Sequence, residues 1–230
     1  MKVSIVLPAY NQEKYIKKTI ENFTKISSGI EIIVVANGCT DNTVNIVKNL
    51  QKKLNNLKLL EFPKKIGKGK AIIEGFKVTN GDIIGFIDAD DAFESKGIKF
   101  LFSQIKLNEC DCAIASKWKD ANFFEVPETF IRKVASRAWN NLVKTLFMLN
   151  LEDTQGGAKF LKRVVFESIG IDFYCKGFEM DVELLWRISK KGYSIKEVFL
   201  KSSQSKESTF NLIYSLPMFF HILRLRLMGV

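Results

Sequence analysis

Asp82-Ile83-Ile84-Gly85-Phe86-Ile87-Asp88-Ala89-Asp90-Asp91 is an apolar run that ends in three carboxylates within four residues. The apolar part is short and unbroken, so it reads as a strand buried inside a sheet. Carboxylates this close repel one another unless a cation joins them. Hard oxygens suit Mg²⁺ or Mn²⁺, and such ions usually sit with substrate phosphates rather than in a closed protein cage. Ligands of open α/β sheets bind at the carboxyl ends of the strands. The stretch therefore predicts a metal site that holds a diphosphate. The competing reading is a solvated acidic turn that caps the next helix, because short Asp clusters also do that.

Outward from this strand, β-branched apolar runs alternate with helical patterns. Strands are expected at 3–7, 31–36, 57–62, 82–88 and 112–116, with helices at 12–26, 40–54, 67–79 and 95–107 between and after them. This alternation predicts a mostly parallel, doubly wound sheet. After residue 117 the rhythm changes. A long helix is expected at 129–149, a strand at 157–161, a helix at 179–190, a strand at 194–198 and a terminal helix at 210–227. With no repeat or low-complexity linker, the chain reads as one domain, 1–230. It comprises a nucleotide-binding half (1–117), an acceptor half (118–208) and a C-terminal helix (209–230).

Composition narrows the function classes. The chain has 230 residues and a net charge of +10, which favours anionic partners. Four cysteines form no CxxC pair, and with His221 as the lone histidine a Cys/His zinc site lacks ligands. The cysteines read as reduced structural thiols, and His221, in a Phe-rich helix, as a packing residue. A His-based triad is disfavoured. Met1-Lys2 runs straight into a strand too short for a signal sequence. The longest charge-free stretch, 208–223, contains Pro217 and is too short to span a bilayer. No signal peptide and no transmembrane helix are expected.

Other segments join the acidic strand end. Strand one ends in Pro8-Ala9-Tyr10-Asn11-Gln12, where a flat aromatic and backbone groups can cradle a base. Strand two ends in Asn37-Gly38-Cys39-Thr40-Asp41-Asn42-Thr43, a turn feeding a helix. Both ends meet at one edge of a parallel sheet. Ile66-Gly67-Lys68-Gly69-Lys70 opens a helix with glycines and lysines, which suits a phosphate. It matches neither a P-loop nor a Rossmann fingerprint.

These pieces, in this order, resemble the family 2 glycosyltransferases of the GT-A fold, and in particular the dolichyl-phosphate (polyprenyl-phosphate) sugar synthases. Pro8-Ala9-Tyr10-Asn11 resembles the family's first nucleotide-binding motif, and 37–43 its Asp-Gly-Ser-Thr-Asp-Gly-Thr turn. Asp88-Ala89-Asp90 resembles the DxD metal motif. Asp153-Thr154-Gln155-Gly156-Gly157-Ala158-Lys159 is similar to the DTQxGxK segment, Gly177-Phe178-Glu179-Met180-Asp181-Val182-Glu183-Leu184-Leu185 to the GFEFDVELL helix start, and Ser205-Lys206-Glu207-Ser208 to the GSKxS element. The chain departs from the pattern at Gln12 (usually Glu), Asn37 (usually Asp), Ala92 (often Gln) and Lys117 (commonly Arg). Asn37 inclines the reading towards a UDP-sugar over GDP-mannose, because an amide oxygen accepts uracil's single N–H while a carboxylate pairs best with guanine.

The resemblance implies metal-dependent, inverting transfer of a hexose or N-acetylhexosamine from a nucleotide-sugar to dolichyl or polyprenyl phosphate, for glycan or protein glycosylation. It places the donor on Pro8, Ala9, Tyr10, Gln12, Asn37, Lys68, Asp88, Ala89, Asp90 and Gln155, and Mg²⁺ or Mn²⁺ on Asp88 and Asp90. Asp181 stands where inverting enzymes keep a base, either as that base or as a positioner, with Glu179 its rival and Glu183 structural. Lys206, then Lys117 and Arg132, are expected to hold the acceptor phosphate; Arg137 and Lys159 read as surface cations. The catalytic set is thus Asp181, Asp90 and Lys206. Phe210, Leu216, Phe219, Phe220 and Leu223 make the last helix apolar, and Arg224 and Arg226 suit lipid headgroups. That predicts a cytoplasmic protein touching the membrane peripherally, although a core helix or dimer face fits the same residues. Trp139, Trp186 and Phe147 read as core. Two other functions stay open: a family 2 transferase with a soluble or saccharide hydroxyl acceptor, and a non-catalytic nucleotide- or nucleic-acid-binding module. The clustered carboxylates count against nucleic acid.

Overall fold

A computed structural model of the protein describes residues 1–27, 29–90, 93–126, 128–201 and 215–229. In chain order the elements are β1 (Val3–Ala9), α1 (Ile16–Thr24), β2 (Glu31–Asn37), α2 (Thr43–Gln51), β3 (Leu57–Phe62), α3 (Lys68–Lys77), β4 (Ile83–Ile87), α4 (Ser95–Lys106) and β5 (Cys112–Ser116). They continue as α5 (Phe130–Phe147), β6 (Ala158–Lys162), α6 (Arg163–Ile169), α7 (Met180–Lys190), β7 (Ile195–Phe199) and α8 (Ser215–Met228). The strands form one sheet in the order β3-β2-β1-β4-β6-β5-β7. All are parallel except β6, which runs antiparallel between β4 and β5.

Strand side chains alternate between two cores, one on each face of the sheet. On β2, Ile33 and Val35 point into the core shared with α3, α6, α7 and α8, while Ile32 and Val34 point into the core shared with α1, α2 and α4. On β4, Ile84 and Phe86 join the first core and Ile83 and Ile87 the second. Burial on both faces explains why these strands read as continuous apolar runs. Chain order reverses between β1 and β4, and the carboxyl ends of β1, β2 and β4 open there into a crevice.

Three elements depart from the sequence reading. Helix α1 starts at Ile16 because Gln12 O accepts the N–H of Tyr15 (3.0 Å) and of Ile16 (2.8 Å), spending 12–15 on a turn. Helix α6 follows β6 directly and is too short for a 3.6-residue pattern to show. Helix α8 begins at Ser215 with Pro217 in its first turn, where a missing N–H costs nothing; residues 210–214 lie outside the described residues. It buries Met218, Ile222 and Leu225 and leaves Leu216, Phe220 and Leu227 exposed.

Candidate active site

A cavity of about 1840 Å³ opens at the carboxyl ends of β1, β2 and β4. It gathers Pro8, Ala9, Tyr10, Gln12, Asn37, Lys68, Asp88, Ala89, Asp90, Lys117, Arg132, Gln155 and Asp181. Every described residue that the sequence proposed for binding or catalysis therefore faces one space. Lys206 lies outside the described residues.

One end of the cavity is built by two laced loops. Asn11 Oδ1 accepts Thr40 N–H (2.8 Å), Asp41 Oδ2 accepts Glu13 N–H (3.0 Å) and Thr43 Oγ1 accepts Gln12 N–H (2.8 Å). Burial alone would push the Asp41 carboxyl up, but bonds from Thr43 and from backbone N–H groups outweigh it and hold the group below the usual range. Lys65 Nζ stands 3.6 Å above the Tyr10 ring. Asn37 Oδ1 already accepts Ile66 N–H at 2.7 Å, which ties β2 to the lysine-rich loop. The amide that the sequence offered to a base is thus partly committed to the fold. Gln12 Oε1 is buried with no partner among the described residues, leaving an open acceptor on the same wall.

The middle of the cavity is a charge cluster. Lys68, at the start of α3, places Nζ 2.6 Å from Asp88 Oδ1. Burial alone would depress the Lys68 ammonium, but Asp88, then Asp181 and Asp90, outweigh it and its pKa rises. Gly69 lets the α3 N-terminus dock: a Cβ there would meet Gly177 O at 2.7 Å and collide with Met180. Asp181 is the second residue of α7 and nearly buried; burial pushes its pKa up, partly offset by Lys159 and then Lys68, while Asp88 adds to the rise.

Asp88 and Asp90 are hard oxygen donors at a strand end. No three His, Cys, Asp or Glu residues converge as a metal cage among the described residues. A Mg²⁺ or Mn²⁺ ion that takes its other oxygens from a diphosphate and water needs only one or two carboxylates, so the donor set fits. Gly157 lets the Asp88 carboxylate approach the backbone closely, since a Cβ there would lie 2.7 Å from Asp88 Oδ2.

The rest of the lining is cationic and apolar. Lys117 Nζ pairs with Glu128 (2.8 Å), and Arg132 lines the same wall. Leu142 of α5, Phe173, and Leu216, Met218 and Phe219 of α8 complete it. Trp139 lines the cavity too, rather than being simple core, and its Nε1 is buried without a partner among the described residues. His221 is not a packing residue: it is exposed, lines the cavity and sets Nδ1 2.9 Å from Glu179 Oε1. Arg137 pairs with Glu152 at 3.0 Å and stands over the Trp118 ring.

The reading of Lys159 as a surface cation is wrong. Its side chain is 0% exposed, and Nζ lies 3.1 Å from Asp181 Oδ1. On β6, Ala158 and Phe160 face one core, so Lys159 faces the other, where α7 lies. Sequence reasoning also missed the braces of the 152–155 loop. Glu197 of β7 accepts the N–H groups of Glu152 (2.8 Å) and Asp153 (2.9 Å), and Asn140 of α5 accepts from Thr154 N (3.1 Å). A lysine inside an apolar strand pattern was the one legible signal; Glu197 and Asn140 sit on ordinary polar positions of their elements.

A crevice at a topological switch point, with two carboxylates and a lysine beside it, is the usual ligand site of an open α/β sheet. The chain belongs to glycosyl transferase family 2, whose pattern matches residues 4–170. It is 29% identical over 204 residues to glycosyltransferase AglD of Haloferax volcanii, covering 86% of this chain and 32% of that protein. It is 26% identical over 241 residues to the dolichyl-phosphate beta-glucosyltransferase ALG5D of Trichomonas vaginalis, covering 97% of this chain and 72% of that protein. Against the dolichyl-phosphate beta-glucosyltransferase of Dictyostelium discoideum it is 26% identical, covering 85% of this chain and 64% of the relative. The chain thus spans a third to under three quarters of these relatives' lengths. The fold matches glucosyl-3-phosphoglycerate synthase from Mycobacterium tuberculosis in complex with uridine diphosphate (TM-score 0.74, 18% identity, 97% of this chain and 79% of that one). It also matches the same enzyme with Mn²⁺, uridine diphosphate and glucosyl-3-phosphoglycerate (TM-score 0.71, 20% identity, 94% and 75%). Among the described residues no helix is long and apolar enough to cross a membrane.

Proposed function

We propose that the protein is an inverting glycosyltransferase that moves a hexose or N-acetylhexosamine from a nucleoside-diphosphate sugar, with UDP favoured, to a polyprenyl phosphate. The observation that carries this reading is the make-up of one cavity. Tyr10, Gln12 and Asn37, the charged Asp88, Lys68 and Asp181, the cations Lys117 and Arg132, and apolar side chains of α5 and α8 all line it. An amphiphile with a phosphate head and an apolar tail suits that combination. The dolichyl-phosphate glucosyltransferases among the relatives and the uridine diphosphate bound to the M. tuberculosis enzyme support the same acceptor and donor.

Asp88 and Asp90 would hold the divalent cation, which when bound neutralises charge gathering on the departing diphosphate. Lys68 adds a fixed positive charge beside them. The acceptor is a phosphate monoester whose second pKa is about 6, so it is mostly dianionic at neutral pH and needs little base help. One of its oxygens bonds to the sugar's anomeric carbon as the bond to the nucleoside diphosphate breaks. Asp181 orients the sugar or the incoming phosphate, and Lys117, Arg132 and Lys206 hold that phosphate.

Arg132→Ala is expected to raise the KM for polyprenyl phosphate about tenfold or more while the KM for the nucleotide-sugar stays within twofold, since a charged hydrogen bond is worth about 1.5–3 kcal/mol. Equal changes in both constants would move Arg132 to the donor. The exposed Leu216 and Phe220 on α8 are expected to rest on the bilayer that delivers the lipid. Leu216→Ser combined with Phe220→Ser should then lose most co-sedimentation with anionic vesicles; undiminished co-sedimentation assigns that role elsewhere.

A further inference from the structure

We propose that Lys159 is a positioning residue: its buried ammonium, clamped inside the sheet, fixes Asp181 in the cavity wall as a carboxylate. The inference rests on the transferase reading only in giving Asp181 a part in transfer. Lys159 sits on β6, the antiparallel strand wedged between β4 and β5, opposite Phe86 of β4 and Ile114 of β5. A fully buried lysine there costs several kcal/mol of desolvation unless it is paired and hydrogen-bonded.

The surroundings meet that need from three directions. Nζ donates to Gly156 O at 2.8 Å, lies 3.1 Å from Asp181 Oδ1, and stands 5.3 Å from the centre of the Phe86 ring. Gly156 itself packs closely on the β5 backbone, because a Cβ there would collide with Ala115 O. The clamp therefore belongs to the rigid sheet, whereas Asp181 is carried by α7. Asp181 Oδ1 takes no aligned hydrogen bond among the described residues, so the ion pair is its main restraint there.

The charges around the pair give Lys159 a task beyond packing. Asp181 faces Lys159 from β6, Lys68 from α3 and Asp88 from the end of β4. Lys159 also faces Asp153 of the 152–155 loop and the Cys112 thiol of β5. Of the cations acting on Asp181, Lys159 is the stronger and Lys68 the weaker. Lys68 is already paired with Asp88, so it is a poor substitute. Without Lys159, only the weaker Lys68 opposes burial at Asp181, and the balance moves towards the protonated acid.

The sign follows directly. If transfer needs ionised Asp181, raising its pKa moves the acidic limb of the rate profile to higher pH. Lys159→Met, nearly isosteric and neutral, is expected to shift that limb in kcat/KM upward by at least about one unit, which lowers transfer up to about tenfold at a pH on the limb and leaves the plateau above it unchanged. Lys159→Gln, which can still donate to Gly156 O, should behave alike and serves if the methionine variant does not fold. Added to Asp181→Asn, either substitution should cause no further loss, since both act through one carboxylate. A second readout needs no activity. In protein labelled with ¹³Cγ-aspartate, the Asp181 signal, identified by its loss in Asp181→Asn, should titrate at higher pH in the Lys159 variants than in the wild type. An unmoved Asp181 titration overturns the inference whether or not the enzyme transfers sugar. Moved titration with an unmoved rate profile overturns the link to transfer, and additive losses with Asp181→Asn make Lys159 merely structural. Absence of lipid transfer in the wild type, with the titration shift intact, counts against the transferase reading and leaves the clamp standing.

Discussion

Asp90→Ala is expected to lower sugar transfer by about 10²–10³-fold or more while leaving the fold and its unfolding temperature nearly unchanged. The size follows from the role proposed for the carboxylate, stabilising charge that develops on a leaving diphosphate inside a crevice, where removal of one electrostatic element has that order of effect. The small stability effect follows from position. Asp90 lies at the partly exposed mouth beyond β4, whereas Ile83 to Ile87 form the buried part of the strand. The two readings of the acidic turn make opposite forecasts. If Asp90 only caps the helix that follows, its loss costs about 1 kcal/mol of stability and little activity. If it holds a cation with the donor, the loss falls on Mn²⁺-dependent nucleotide-sugar binding and on turnover. Calorimetric titration of the sugar nucleotide with and without Mn²⁺, beside a thermal melt, separates them.

Glu183→Ala is expected to destabilise the fold by about 3–5 kcal/mol, the cost of breaking a buried ion pair from one side. Glu183 is fully buried two residues beyond Asp181 and one turn beyond Glu179. Its carboxylate accepts the N–H groups of Tyr174 (3.1 Å) and Cys175 (2.7 Å) and pairs with Arg187 Nη2 at 2.6 Å. Arg187 in turn donates to Ile169 O and Asp172 O and stands 4.6 Å from the Phe173 ring centre. Removing Glu183 leaves a guanidinium with carbonyls alone and two backbone donors without their acceptor. For a chain of this size that corresponds to a fall of about 6–20 °C in Tm, readable by circular dichroism. A fall under about 2 °C would contradict the account of how residues 171–175 are anchored to α7. Because that segment and Phe178 also border the cavity, activity should decline with stability rather than before it.

The legible part of the fold was the part governed by local pattern. Apolar strands buried on both faces, such as Ile32 to Val35 and Ile83 to Ile87, announce themselves as unbroken runs. Their alternation with helices implied a mostly parallel sheet, and the strand-end motifs implied a shared crevice. What the sequence concealed depends on three-dimensional neighbours. The insertion of β6 between β4 and β5 is a matter of pairing partners, which no local pattern encodes. Lys159 looked like any surface lysine because its pairing residue, Asp181, lies on a different element. His221 looked like packing in an apolar helix, yet α8 turns it towards Glu179 and the cavity. Asn37 was offered to a base from its residue type, while its oxygen also accepts Ile66 N–H. Burial and partner identity decided these cases, and both are tertiary quantities.

The central claim is transfer to a lipid phosphate. It is tested most directly by incubating the protein with Mg²⁺ or Mn²⁺, dolichyl phosphate in anionic vesicles, and labelled UDP-glucose, UDP-N-acetylglucosamine or GDP-mannose, then extracting into organic solvent. Label is expected in the organic phase, greatest from a UDP-sugar, dependent on the metal and lost in Asp90→Ala. Label that stays in the aqueous phase with dolichyl phosphate, but moves onto a soluble acceptor such as 3-phosphoglycerate, would contradict the central claim and assign the cationic lining of the cavity to a soluble phosphate.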